Sequence, residues 1–99
     1  MIQIAKIEAA LKPHRDSFIT GSFVLDGNYC PVGGLGAALG LDMGRGEMNG
    51  ADGWLTKVRK EYGLSIDDTH QIYRTSDAAG GGADSMDAVM KMLRERMES

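Results

Sequence analysis

Apolar residues recur along this chain with two different periods. Ile4, Ile7 and Leu11 fall on one side at about 100° per residue, with Lys6, Glu8 and Lys12 turned away, which predicts a helix over residues 2–12. Pro13 should end it, because a proline disfavours helical geometry in the residue before it. Phe18, Ile19, Phe23, Val24 and Leu25 then surround Gly21 and lead into Asp26-Gly27. Asp-Gly between apolar runs signals a hairpin, since a type I′ turn needs positive φ at both central residues. The expected ribbon pairs residues 22–25 with 28–30, and one so short must rest on helices to be stable.

Residues 41–53 hold four glycines and no period, so they read as a loop. Trp54, Leu55, Val58 and Tyr62 form a stripe that predicts a helix over 53–62, closed by Gly63 just past its end. Ser65 caps a further helix running to about Thr75, with Asp67 and Asp68 in its first turn and Ile66, His70 and Tyr73 on one side. Residues 76–84 read as a second glycine-rich loop. Met86, Val89, Met90, Leu93 and Met97 make the stripe of a last helix over 85–97, capped by Asp84 or Ser85. The expected fold is mainly α (α+β at most): one compact domain, residues 1–99, of four to five helices with one short β-hairpin.

Composition narrows the function classes. The net charge is −3, and no Lys/Arg block stands out to track a phosphate backbone, so no direct nucleic-acid binding is expected. One cysteine excludes an internal disulfide and a cysteine-based zinc site. There is no secretory leader pattern and no apolar run of about 18 residues, so a cytoplasmic location and no membrane partner are expected. Seven methionines against 6% aromatic residues place flexible thioethers in the core or on an adaptable partner-binding face.

The stretch CPVGGLGAALG, residues 30–40, admits two readings. As a helix over 31–39 it has Pro31 well placed in the first turn, and Val32, Leu35 and Leu39 share a face. Gly33, Gly34 and Gly36 cost such a helix roughly 3 kcal/mol relative to alanine. That cost is offset only if a neighbouring backbone comes very near. As a nucleotide loop, Gly34, Gly36 and Gly40 make a GxGxxxG variant, but the chain is too short for two mononucleotide-binding halves.

Candidate chemistry is sparse. Cys30 precedes Pro31 at a helix start, where the macrodipole favours thiolate, and His14 and His70 are the imidazoles available to it. Cys30 with His70 is therefore the minimum set for a small Cys-His hydrolase, oriented by Asp67 or Asp77. A small buried thiol is the competing reading of Cys30, and a histidine hydrogen-bonded at the core edge that of His70. The acidic series Asp42, Glu47, Asp52 lacks calcium-loop spacing, and no metal site or cofactor is expected.

YCPVGGL and HQIY resemble pieces of cell-wall cysteine peptidases, which place their cysteine at a helix start and carry a later histidine. The strand-rich half that holds that family's histidine has no counterpart here. GSFVLDGNYCPVGGLGAALGL is similar to small uncharacterised proteins of phages and actinobacteria: a glycine, a short ribbon, then Cys-x-x-Gly-x-Leu opening a small-residue helix. SDAAGGG before the terminal helix resembles their Asn-Asp loop, with Ser76 where asparagine is usual. The likeness implies a compact helical fold and no assigned activity. It also brings anti-CRISPR and other anti-defence proteins into view, which typically occupy a surface of a host complex.

The expected function is a non-enzymatic protein-binding inhibitor or modulator, phage or mobile-element encoded, acting by steric occlusion of a host protein complex in the host cytoplasm. Its expected contact residues are Met43, Met48 and Trp54 beside the loop, and Asp67 and Asp68 at a helix start. The Cys-His hydrolase is the alternative, and a homodimer through the Met-bearing terminal helix is a third reading.

Overall fold

The structure, a computed structural model, describes residues 1–41 and 51–98, with the backbone alone at 51 and 52. The first helix, α1, is Ile4–Leu11, and Ile7 and Leu11 point into the core. Pro13 stops the α-helical ladder as expected, but the chain makes one further 3₁₀ turn over Lys12–His14 before leaving the axis. Strands β1 (Val24–Leu25) and β2 (Asn28–Tyr29) pair antiparallel, Val24 opposite Tyr29. Asp26 and Gly27 between them have φ of 51° and 80°, the mirror-image turn that their sequence demands. The ribbon is shorter than expected because the chain bends over residues 20–23 and buries Phe23.

Helix α2, Pro31–Ala38, is the centre of the molecule. Every residue from Pro31 to Gly36 is buried, and α2 touches β2 and the other four helices. Cys30 caps it in an extended conformation, and the Gly33 N–H donates to Cys30 Sγ at 3.4 Å. The Gly34 N–H donates to the Cys30 carbonyl at 2.8 Å. These amides are consumed inside the cap and helix, which removes the donors that a nucleotide loop would present. A methyl group at Gly33 would lie 1.9 Å from the Phe23 carbonyl oxygen, so the ribbon backbone rests directly on the helix backbone. At Gly34 it would meet Leu11 Cδ2 at 3.3 Å. The close approach inferred from the glycines is therefore real.

Helix α3 is Ala51–Tyr62 and begins two residues earlier than its apolar stripe suggests. Trp54, Val58 and Tyr62 are buried. Helix α4 spans Ile66–Ala79, opened by a capping box: Ser65 Oγ accepts from the Asp68 N–H (2.9 Å) and Asp68 Oδ2 from the Ser65 N–H (2.8 Å). Its buried face is Asp68, Thr69, Ile72 and Ser76, not the expected Ile66–His70–Tyr73 side. Ile66 is 63% exposed. The buried face differs because α4 turns in small polar residues: Thr69 Oγ1 donates to the Ile66 carbonyl at 2.7 Å, while the Ser76 hydroxyl is packed away with no hydrogen-bond partner among the described residues.

Helix α5, Gly82–Glu98, follows after only Gly80 and Gly81, so the expected loop over 76–84 is a two-residue turn. Gly80, Gly81 and Gly82 all have φ between 61° and 97°, a run that no side-chain-bearing residue adopts comfortably. Ser85 is not the cap of α5. Its buried hydroxyl accepts from the Gly81 N–H at 2.9 Å and donates to the Ser76 carbonyl at 2.8 Å, tying the end of α4 to the start of α5. Met86, Val89, Met90 and Leu93 are buried as the stripe requires, while Met97 is exposed. One apolar cluster takes residues from every helix, and the described chain is mainly α with a single ribbon. No described helix is long and apolar enough to cross a membrane.

Candidate functional site

Helix periodicity brings one aromatic-floored surface recess together. On α3, Leu55 and Arg59 lie one turn apart on the same flank; on α4, Thr69 with Tyr73, and His70 with Arg74, do the same. These two flanks enclose a groove of about 240 Å³. Its floor is Phe23 and Val32, both buried, so the ribbon and α2 supply the apolar base. Phe23 is held edge-on to Trp54 (centroids 5.2 Å, 89°) and tilted to Tyr73 (5.7 Å). That aromatic cluster fixes the depth of the recess. Burial, with Asp77 nearby, pushes the Tyr73 phenol above its ordinary pKa, so it stays a neutral donor.

The rim is cationic. Arg59 and Arg74, like Lys12, Lys57, Lys60 and Lys91, have no carboxylate within ion-pair distance among the described residues, whereas Lys6, Arg15, Arg94 and Arg96 do. Lys6 holds Glu61, Arg15 holds Asp87, Arg94 holds Glu8 at 2.6 Å, and Arg96 reaches Asp67 and Asp68, each at 2.7 Å. Two carboxylates near the arginines in sequence are engaged elsewhere. Glu61 pairs across to α1, and Asp77, three residues after Arg74, accepts from the Gly21 N–H at 3.2 Å. Among the described residues, the recess thus carries positive charge with no carboxylate paired to it.

The residues singled out from the sequence are distributed differently. Cys30 is fully buried, and its thiol pKa is pushed up to about 11 by desolvation, which outweighs the Gly33 and Val32 N–H groups. The expected lowering at the helix start does not occur. At pH 7 such a thiol is ionised in about one molecule in ten thousand. His70 is exposed on the groove rim rather than set into the core edge, and Cys30 does not line that groove. Trp54 is a core side chain, 4% exposed, whose Nε1 has no hydrogen-bond partner among the described residues. It offers no contact surface.

Asp67 is exposed, but Asp68 is buried and spent on the Ser65 cap and Arg96. Burial alone would raise the Asp68 carboxyl; the Ser65 and Arg96 hydrogen bonds outweigh it and hold the pKa below the usual carboxylate value. Met43 and Met48 lie outside the described residues. Among those described, no three His, Cys, Asp or Glu side chains cluster to hold a metal ion.

Sequence reasoning missed Arg59 and Arg74 because each sits on the polar side of its own helix and looks solvated there. The available signal was the lack of an acidic residue three or four positions from Arg59. Compared with family models, with curated proteins and with solved structures, the chain matches none.

Proposed function

We propose that this chain is a non-enzymatic protein-binding inhibitor or modulator, encoded by a phage or mobile element and acting by steric occlusion of a host protein complex, in the manner of anti-CRISPR proteins. The observation that supports it most is the combination of a sealed, protonated thiol with a recess built for contact. The one nucleophilic candidate is the capping atom of the central helix, while the groove offers an apolar floor under two arginines that have no carboxylate partner among the described residues. A packed helical body of this kind changes shape little on binding and excludes a competitor by volume. Such an interface needs about 800 Å² from each partner, which one face of a 5576 Å² surface supplies.

The test is phage plating on a bacterium with active CRISPR immunity, with and without expression of this chain. Restored plaque formation is the expected result, retained by Cys30→Ser and His70→Ala. Loss of the effect in a folded Cys30→Ser variant assigns the Cys-His hydrolase instead. Unchanged plating across CRISPR types rejects the anti-CRISPR reading.

A further inference from the structure

Resting on the protein-binding reading, we infer that the groove between α3 and α4 takes an acidic segment of the partner, one bulky apolar side chain seated on Phe23 and Val32 and its flanking carboxylates on Arg59 and Arg74. Three properties of the recess lead there.

The first is size. At about 240 Å³ the groove lies below the roughly 300 Å³ at which small-molecule sites begin. It suits an anchoring side chain better than a cofactor. The second is chemistry: the base is apolar and aromatic, the kind of desolvated pocket in which interface anchors concentrate. Phe23 cannot swing aside to close it, because Trp54 and Tyr73 hold its ring.

The third is charge. Glu61 and Asp77 are committed to Lys6 and Gly21, so among the described residues no carboxylate pairs with Arg59 or Arg74 over the recess. Arginine suits this role because its planar fork receives a carboxylate through two N–H groups at once. A neutral apolar segment would leave both guanidiniums facing it without partners. An acidic segment satisfies rim and floor together. A phosphate backbone would match the rim and leave the apolar floor unused, which is why an acidic protein segment is the better fit.

The experiment uses the full chain and a fluorescein-labelled acidic heptapeptide with one central phenylalanine, followed by fluorescence anisotropy at low salt. Saturable binding is expected. It should weaken at least about tenfold when the phenylalanine is replaced by serine, and again when the glutamates are replaced by lysines. Arg59→Glu and Arg74→Glu should each weaken it about tenfold, while Lys91→Glu, the same charge change on the exposed side of α5, should alter it less than about twofold. Higher salt should reduce affinity, since charges beyond roughly 10 Å are screened at 0.1 M.

Equal losses in the Lys91 and groove variants, or no binding of the wild-type chain, overturn the inference. So does tighter binding of a twelve-nucleotide single-stranded thymidine oligomer than of the peptide. None of these results touches the plating assay. Phage protection that survives Arg59→Glu and Arg74→Glu leaves the binding reading standing and moves its surface elsewhere.

Discussion

Gly33→Ala is the sharpest perturbation available, because two well-defined effects oppose each other at one atom. Alanine in a helix interior is favoured over glycine by about 1 kcal/mol, so on propensity alone the variant gains stability. The new Cβ, however, would stand 1.9 Å from the Phe23 carbonyl oxygen, where real Cβ atoms keep beyond 3.0 Å, so the ribbon must retreat by at least 1.1 Å. That oxygen accepts from the Cys30 N–H at 3.1 Å, and the retreat breaks the bond. Losing it costs about 1 kcal/mol, and forcing a methyl into a packed site costs a further 1–3 kcal/mol or so. The net expectation is destabilisation by about 2 kcal/mol, or a Tm lowered by roughly 8–16 °C for a domain of this size.

Gly34→Ala is the internal control. It carries the same propensity gain, but its nearest neighbour is the movable methyl Leu11 Cδ2 at 3.3 Å, so it should stay within about 1 kcal/mol of the wild type. Thermal and urea unfolding followed by helical circular dichroism measure both. A Gly33→Ala protein as stable as the wild type, or indistinguishable from Gly34→Ala, would refute the close-approach account of the whole glycine stretch.

Three further outcomes are expected. Ser85→Ala removes the acceptor of the half-buried Gly81 N–H and a buried donor to the Ser76 carbonyl, and should lower the urea midpoint by about 1–2 kcal/mol equivalent with an unchanged slope. A changed slope would mean that the α4–α5 turn itself had opened. Asp68→Asn weakens the Ser65 cap and the Arg96 contact and should cost about 1 kcal/mol at neutral pH. Because the folded Asp68 pKa is depressed, its stabilisation is present above the unfolded carboxyl value near 3.9 and is lost as pH falls through the folded value. Wild type and variant should therefore converge in strong acid, and a constant gap from pH 6 to pH 2 would contradict the assignment.

Cys30 behaves in the opposite sense. Its folded pKa of about 11 lies above the ordinary value of 9.0, so its contribution is full below that ordinary value and is lost as pH rises toward the folded one. Native thiol alkylation by iodoacetamide at pH 8 should be slow, and should become fast in denaturant. Rapid native alkylation would show a reachable thiolate and revive the hydrolase.

Local signals carried much of the architecture because they act through neighbours in the chain. Asp26-Gly27 specifies a mirror-image turn wherever it stands, Ser65 with Asp68 closes a capping box within four residues, and Gly63 ends α3 just past Tyr62. The methionine stripe of α5 is legible for the same reason. Its four buried members follow helical spacing, and a single face is enough to bury them.

Other features needed the third dimension. The face of α4 was set by Thr69 and Ser76, small polar residues that a hydrophobic pattern sends outward and that packing takes in, Thr69 with its hydroxyl on the Ile66 carbonyl of its own helix. The charge of the groove was invisible in sequence, since it depends on which arginine a carboxylate reaches. Glu61 crosses to Lys6 on another helix, and Asp77 turns from Arg74 to the Gly21 amide. Even the Cys30 thiol has its pKa set by the elements packed around α2, not by the helix start on which it sits.

By itself the sequence determined the mainly helical class, the place of the ribbon turn and the need for something close against Gly33, because backbone sterics and helical spacing are local. Which carbonyl fills that space, which side of α4 is wet and which cation each described carboxylate reaches were decided only by the packed structure. Desolvation and ion pairing depend on distances between residues far apart in the chain.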